Sequence, residues 1–145
     1  MATRPGSVIA IDHGSRRTGF CVTDPLRVSS TCLETWHGAG DDPDLLEHLA
    51  RFVDERDVEA FVVGLPLNMD GSEGPRAADV RAFARSLAQR FPSIPVLFQD
   101  ERLTTKEAEH WMRDAGVPDR RASRDAYSAM VILRDWIAAG EPDGP

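Results

Sequence analysis

The sequence predicts an α/β domain on a mixed five-stranded sheet, an antiparallel meander followed by parallel strands, flanked by helices. Three observations carry that reading. Two short apolar runs, Val8 to Asp12 and Gly19 to Thr23, stand on either side of a turn containing Gly14, Arg16 and Arg17, as the arms of a hairpin do. Later apolar runs alternate with stretches of helical spacing, and a helix between two strands implies parallel pairing. No internal repeat or linker interrupts the 145 residues, so they are read as a single domain with a short disordered N-terminus and a frayed C-terminal tail, EPDGP.

The elements follow in order. Arg27 to Trp36 is expected as the third strand, although its alternation is weak. After the loop HGAGDDP, Asp42 is an N-cap acceptor and Pro43 a suitable first helical residue. Leu45, Leu46, Leu49, Phe52 and Val53 then recur at helical spacing and define one apolar face. Ala60 to Leu65 is continuously apolar, as a central strand buried on both sides would be. The loop PLNMDGSEG leads to Pro75, which opens a second helix with Ala78, Phe83, Leu87 and Phe91 facing inward. Pro92 and Pro95 end it, and a short strand runs from Pro95 to Asp100. A third helix is expected from Thr104 or Thr105 through Trp111 and Met112 to the neighbourhood of Gly116 and Pro118. Ser123 is expected to cap a last helix, with Ala126, Ala129, Met130, Leu133, Trp136 and Ile137 along one side.

Composition narrows the class. No apolar run approaches the roughly 20 residues needed to span a bilayer, and no signal region follows Arg4, which together point to a cytoplasmic protein without a membrane partner. Cys21 and Cys32 fall within expected strands, lack metal-type spacing and are read as reduced core thiols in preference to a hairpin disulfide. The formal charge of −7 argues at first against a polyanionic partner. Residues 41–59, however, hold eight acids and two bases, so most of the excess lies in one solvated segment and nucleic acid is not excluded.

Four acids stand at the ends of elements rather than on their faces. Asp12 ends the first strand, Asp100 and Glu101 end the last, and Asp125 falls in the first turn of the final helix. Functional groups collect where strand ends meet helix starts. Carboxylates converging there repel one another unless cations neutralise them. All-oxygen ligands suit Mg²⁺ or Mn²⁺, and phosphodiester hydrolysis uses such ions as a pair about 4 Å apart. Taken singly, each acid also has a plain structural use in a turn, an ion pair or a helix N-terminus. His13, His37, His48 and His110 are scattered and expected in surface or core roles.

VIAIDHGSRRTGFCVTD, VVGLPLNMDGSEGPRA, DERLTT and DAYSAMVIL, in that order from Val8 to Leu133, resemble the YqgF/RuvX family of RNase H-like nucleases. The resemblance implies an RNase H-like fold and a two-metal endonuclease acting on structured nucleic acid. It makes Asp12, Glu101 and Asp125 the expected catalytic and metal-binding acids, with Asp100 as the alternative to Glu101. Neighbours on an extended segment point oppositely, so one of that pair serves, and Glu101 has the greater reach. Arg16, Arg17, Asn68, Arg102, Arg120, Arg121 and Arg124 are the expected nucleic-acid contacts, the last three forming the densest basic cluster. Two substrates follow from the resemblance: the precursor of small-subunit ribosomal RNA, which is preferred, and the four-way DNA junction, whose symmetry would call for a homodimer. A non-catalytic nucleic-acid-binding module is the remote alternative.

Overall fold

The computed structural model describes residues 6–101 and 120–142, with the backbone alone over 120–125. Ser7–Asp12 (β1) and Arg17–Thr23 (β2) form the expected hairpin, with Ile9 opposite Val22 and Asp12 opposite Gly19. Ser30–Cys32 (β3) lies antiparallel on the outer side of β2, and the two residues Trp36–His37 (β4) pair with its beginning. Val58–Leu65 (β5) runs parallel to β1 on its other side, and Val96–Asp100 (β6) runs parallel to β5. The main path is therefore β3-β2-β1-β5-β6, five strands as expected, with β4 attached to β2 off that path.

The third strand is shorter than the expected Arg27 to Trp36. Asp24 accepts from the backbone amides of Leu26 and Ser29, and Arg27 takes a left-handed φ of 61°, so the chain turns until Ser29. Beyond Cys32, the Glu34 carbonyl is drawn off to His48, whose Nε2–H donates to it across 2.8 Å. Arg51 holds the Glu34 carboxylate at 2.7 Å. Strand pairing resumes only at Trp36.

Pro43–Asp54 (α1) starts as expected, with the Asp42 carboxylate accepting from Asp44 N–H and proline in the first turn. Pro75–Arg90 (α2) also begins at its proline, after Gly74. Its inward face is set by Ala77, Val80, Phe83, Ala84 and Leu87, while Ala78 points to solvent. Arg120–Ala138 (α3) begins before Ser123, so that residue lies inside the helix and Asp125 stands in its second turn rather than its first. The expected helix from Thr104 to Gly116 lies outside the described residues. The tail is more ordered than expected as far as Pro142: Arg27 pairs with Glu141 at 3.4 Å, and Trp136 donates to the Pro142 carbonyl at 2.9 Å.

Strand alternation sorts the interior into two layers. Ile9, Ile11, Phe20, Val22, Phe61, Val63 and Leu65 face α1 and α2, packing on Leu45, Leu49, Phe52, Val80, Phe83 and Leu87. Val8, Ala10, Cys21, Ala60 and Val62 face α3, packing on Ala129, Ile132, Leu133 and Trp136. No helix among the described residues is long and apolar enough to cross a membrane.

Candidate active site

The carboxyl ends of β1, β5 and β6 come together at one edge of the sheet. Register aligns Ile11 with Val63, and Leu65 with Asp100, so Asp12 and Glu101 end strands that lie on either side of β5. Strands two places apart are separated by roughly 9–10 Å, too far for two short side chains to meet. Glu101 crosses that gap over Gly64. A Cβ on Gly64 would stand 2.7 Å from Glu101 Oε2 and would also strike Ile132 Cδ1. The glycine in VVGL is thus the space through which the carboxylate passes, a role that sequence reasoning missed. A glycine breaking an otherwise β-branched central strand was the available signal.

Glu101 reaches Asp12 and shares a hydrogen bond with its carboxyl. Alternation places Glu101 on the α3 side of the sheet with Ala10 and Asp12, whereas Asp100 belongs with Leu65 and Phe98 on the other side. Asp12, Asp100 and Glu101 do not form a three-residue ligand cluster. Loss of solvent, followed by the Asp12 charge, pushes the Glu101 carboxyl up to about 9, so at neutral pH the two acids hold a proton between them. Arg76 acts in the opposite direction, and Asp100 adds a smaller upward push.

Arg76, absent from the expected contacts, is therefore part of the site's electrostatics. Its Nη2 donates to the His13 carbonyl at 2.7 Å, and its Nη1 lies 3.3 Å from Asp79 Oδ2. Its place in the first turn of α2, at the end of the GSEGPRA stretch, was the signal for it. It also ties α2 to the turn after Asp12.

That turn is locked from several directions. His13 is buried, stacks on Phe83 with centroids 4.4 Å apart, and donates from Nε2 to the Gly40 carbonyl at 2.9 Å. Desolvation lowers its pKa, and of the surface and core roles expected of the histidines it takes the core one. A Cβ on Gly14 would overlap the Arg17 carbonyl, so this glycine serves the closeness of the turn itself. The turn presents Arg16 and Arg17 exposed beside Asp12.

The loop after β5 is organised by its own polar groups. Asn68 N–H donates to the Ser72 carbonyl at 2.8 Å, and its side-chain amide donates to Ser72 Oγ at 2.9 Å. Asp70 accepts from Ser72 N–H and Oγ, and Gly71 takes a φ of 88°. Asn68 is exposed, with its amide nitrogen engaged inside the loop. Arg102 lies outside the described residues. Arg120, Arg121, Arg124 and Asp125 lie on the first turns of α3, where the backbone alone is described.

A divalent cation fits what is described. The donors are carboxylate oxygens at a rigid strand end, and the proton that eases their mutual repulsion is one a cation would replace. Asp12 and Glu101 are the residues that would hold it.

Comparison with known proteins agrees with this architecture. Residues 6–139 match the family described as RuvX: Holliday junction resolvase. A relative from Porphyromonas gingivalis, named as a candidate pre-16S rRNA nuclease, is 38% identical over 136 residues, covering 91% of this chain and 96% of its own. One of the same name from Rhodobacter capsulatus is 42% identical over 137 residues, covering 94% and 80%. Among solved structures, Thermus thermophilus RuvC superposes with a TM-score of 0.55 at 17% identity, over 92% of this chain and 96% of that one. The same protein in complex with a Holliday junction substrate gives 0.54 at 18% identity. The mixed sheet with its flanking helices is thus the RNase H-like fold that RuvC shares. Matched by its family from residue 6 to residue 139 and sharing over a third of its residues with such relatives, the chain belongs to the RuvX family.

Proposed function

We propose that this chain is a divalent-metal-dependent endonuclease that hydrolyses phosphodiester bonds in structured nucleic acid, in the cytoplasm, with the precursor of small-subunit ribosomal RNA as its preferred substrate. The observation that carries the reading is the pairing of Asp12 and Glu101 across β5 at one end of the sheet. Two carboxyls held this close have no structural use that a neutral pair would not serve better. Mg²⁺ or Mn²⁺ bound there would supply an activated water and charge neutralisation at the phosphate. Asp125, carried by the helix that packs on the same side of the sheet, is the third acid in this reading.

The chain's own groups have distinct tasks. Asp12 and Glu101 give up their shared proton as they become ligands, so cation affinity rises with pH. Arg76 holds the turn after Asp12 through the His13 carbonyl and offers positive charge beside the acids. Arg16 and Arg17 contact the phosphates flanking the cut, joined by Asn68, Arg102, Arg120, Arg121 and Arg124. The family description and the junction-bound RuvC favour a second reading, a resolvase that cuts branched DNA as a homodimer.

Cleavage of two labelled substrates, an RNA carrying a ribosomal precursor end and a four-way DNA junction, tests both readings. Each is incubated with Mg²⁺, Mn²⁺ or EDTA, beside the Asp125→Asn protein. Defined RNA cuts that need the metal and Asp125 support the first reading. Paired, symmetric nicks in the junction alone select the second. Cutting that survives EDTA overturns the metal assignment.

A further inference from the structure

The two cysteines, each expected within a strand, are direct neighbours in the sheet. Cys21 on β2 is opposite Cys32 on β3. The flanking pair is joined by a bond from Leu33 N–H to the Phe20 carbonyl, 3.0 Å long. Antiparallel pairs alternate, so Cys21 and Cys32 occupy a non-hydrogen-bonded position, where Cα atoms stand about 4.5 Å apart and side chains lie closest. That separation is inside the range a disulfide accepts, about 4.4–6.8 Å.

The two thiols are not equivalent. Cys21 is wholly buried beneath α3. Cys32 lies on the outermost strand of the sheet, is partly exposed, and lines an open cavity of about 310 Å³ together with Glu34, His37 and Tyr127. Its Sγ–H is 3.7 Å from the Ala126 carbonyl, which fixes the sulfur at the cavity wall. The Cys21 thiol donates to the Cys32 sulfur, which holds the Cys32 thiol below its ordinary pKa and the Cys21 thiol above its own.

We infer that Cys21 and Cys32 form an oxidisable dithiol that hydroperoxides convert reversibly to a cross-strand disulfide, with Cys32 as the attacking sulfur and Cys21 as the resolving one. In the first step the Cys32 thiolate takes one oxygen from hydrogen peroxide. The O–O bond breaks, Cys32 becomes a sulfenic acid, and the released hydroxide takes up the proton that Cys32 lost, giving water. In the second step the Cys21 sulfur attacks the sulfenic sulfur. The S–O bond breaks, the hydroxyl leaves with the Cys21 proton as a second water, and the S–S bond forms. Two thiols and one peroxide give one disulfide and two waters. A lower-pKa, accessible sulfur beside a buried partner is the arrangement that peroxide chemistry selects. The inference stands on the β2–β3 pairing and is independent of the nuclease reading.

The test is thiol chemistry on the whole reduced protein. Treated with hydrogen peroxide and then alkylated after unfolding, it should lose both thiols together and lose the mass of two hydrogens. It should yield one linked peptide pair containing Cys21 and Cys32, remain a monomer-sized chain without reductant, and recover fully in dithiothreitol. Before oxidation, Cys32 should be alkylated at least roughly tenfold faster than Cys21. In Cys21→Ala, dimedone should trap a sulfenic acid at Cys32. Progression of Cys32 to sulfinic acid with Cys21 still free in the wild type would overturn the inference. So would a disulfide formed only between chains, or two thiols that both survive peroxide. The wild-type peptide map needs no variant to fold.

Discussion

The two sides of this sheet are built from different residues. Towards α1 and α2 the strands present Ile9, Ile11, Phe20, Phe61 and Val63, and the helices answer with Leu45, Leu49, Phe52, Phe83 and Leu87. Towards α3 they present Val8, Ala10, Cys21, Ala60 and Val62, with Gly64 beyond. Large side chains on the first side bury the most apolar surface, which is where folding stability comes from. Small ones on the second let α3 lie close to the strands, and the candidate acids Asp12 and Glu101 emerge on that side. One side holds the sheet together; the other makes room for chemistry.

Substitutions can break that division of labour. Leu49→Ala, at a fully buried position of α1, should cost about 2–5 kcal/mol in a denaturation experiment while the folded fraction keeps its cleavage rate. Asp12→Asn should do the reverse. Cleavage should fall by more than about a hundredfold, with the melting temperature unchanged or raised because a neighbouring charge is gone. Gly64→Ala sits on the boundary: its methyl would collide with Ile132 and crowd Glu101. It should cost about 1–3 kcal/mol and reduce cleavage as well, and a loss of stability with full activity would show that Glu101 does not depend on that gap.

Proton linkage gives a separate effect. Glu101 is raised from 4.5 in the unfolded chain to about 9 in the folded one, by desolvation first and by Asp12 second. The folded protein therefore binds the proton more tightly, and stability in the absence of divalent ions should decline as pH rises from 4.5 towards about 9. Urea midpoints across that range should flatten in Glu101→Gln. Smallest of all, Arg76→Lys should lower cleavage a few-fold, because an ammonium cannot hold the His13 carbonyl and face the acids at once.

Much of this was legible in the residues themselves. Hydrophobic runs, Pro43 and Pro75 place the strands and two helices because those signals are local. Asp12, Asp100 and Glu101 stand out because a charged group ending an apolar run is conspicuous, while the choice of Glu101 over Asp100 rests on the family resemblance and on reach. Less visible is what depends on distant partners. The Arg27 turn is set by a clamp to Gly6, Glu59 and Glu141. The early start of α3 gave no sign in Ser123, whose N-cap chemistry suits a helix start equally well. Arg76 and Gly64 acquire their roles only when β1, β5 and β6 lie side by side. The pairing of Cys21 with Cys32 depends in the same way on the register of β3.

In the proposed function Asp12, Glu101 and Asp125 are ligands of one divalent site. Mn²⁺ titration followed by calorimetry, on the wild type and on Asp12→Asn, Glu101→Gln and Asp125→Asn, puts this to the test. Saturable binding with proton release in the wild type, weakened at least tenfold in each variant, is the predicted result. Wild-type Mn²⁺ affinity in Asp12→Asn, Glu101→Gln or Asp125→Asn would contradict it.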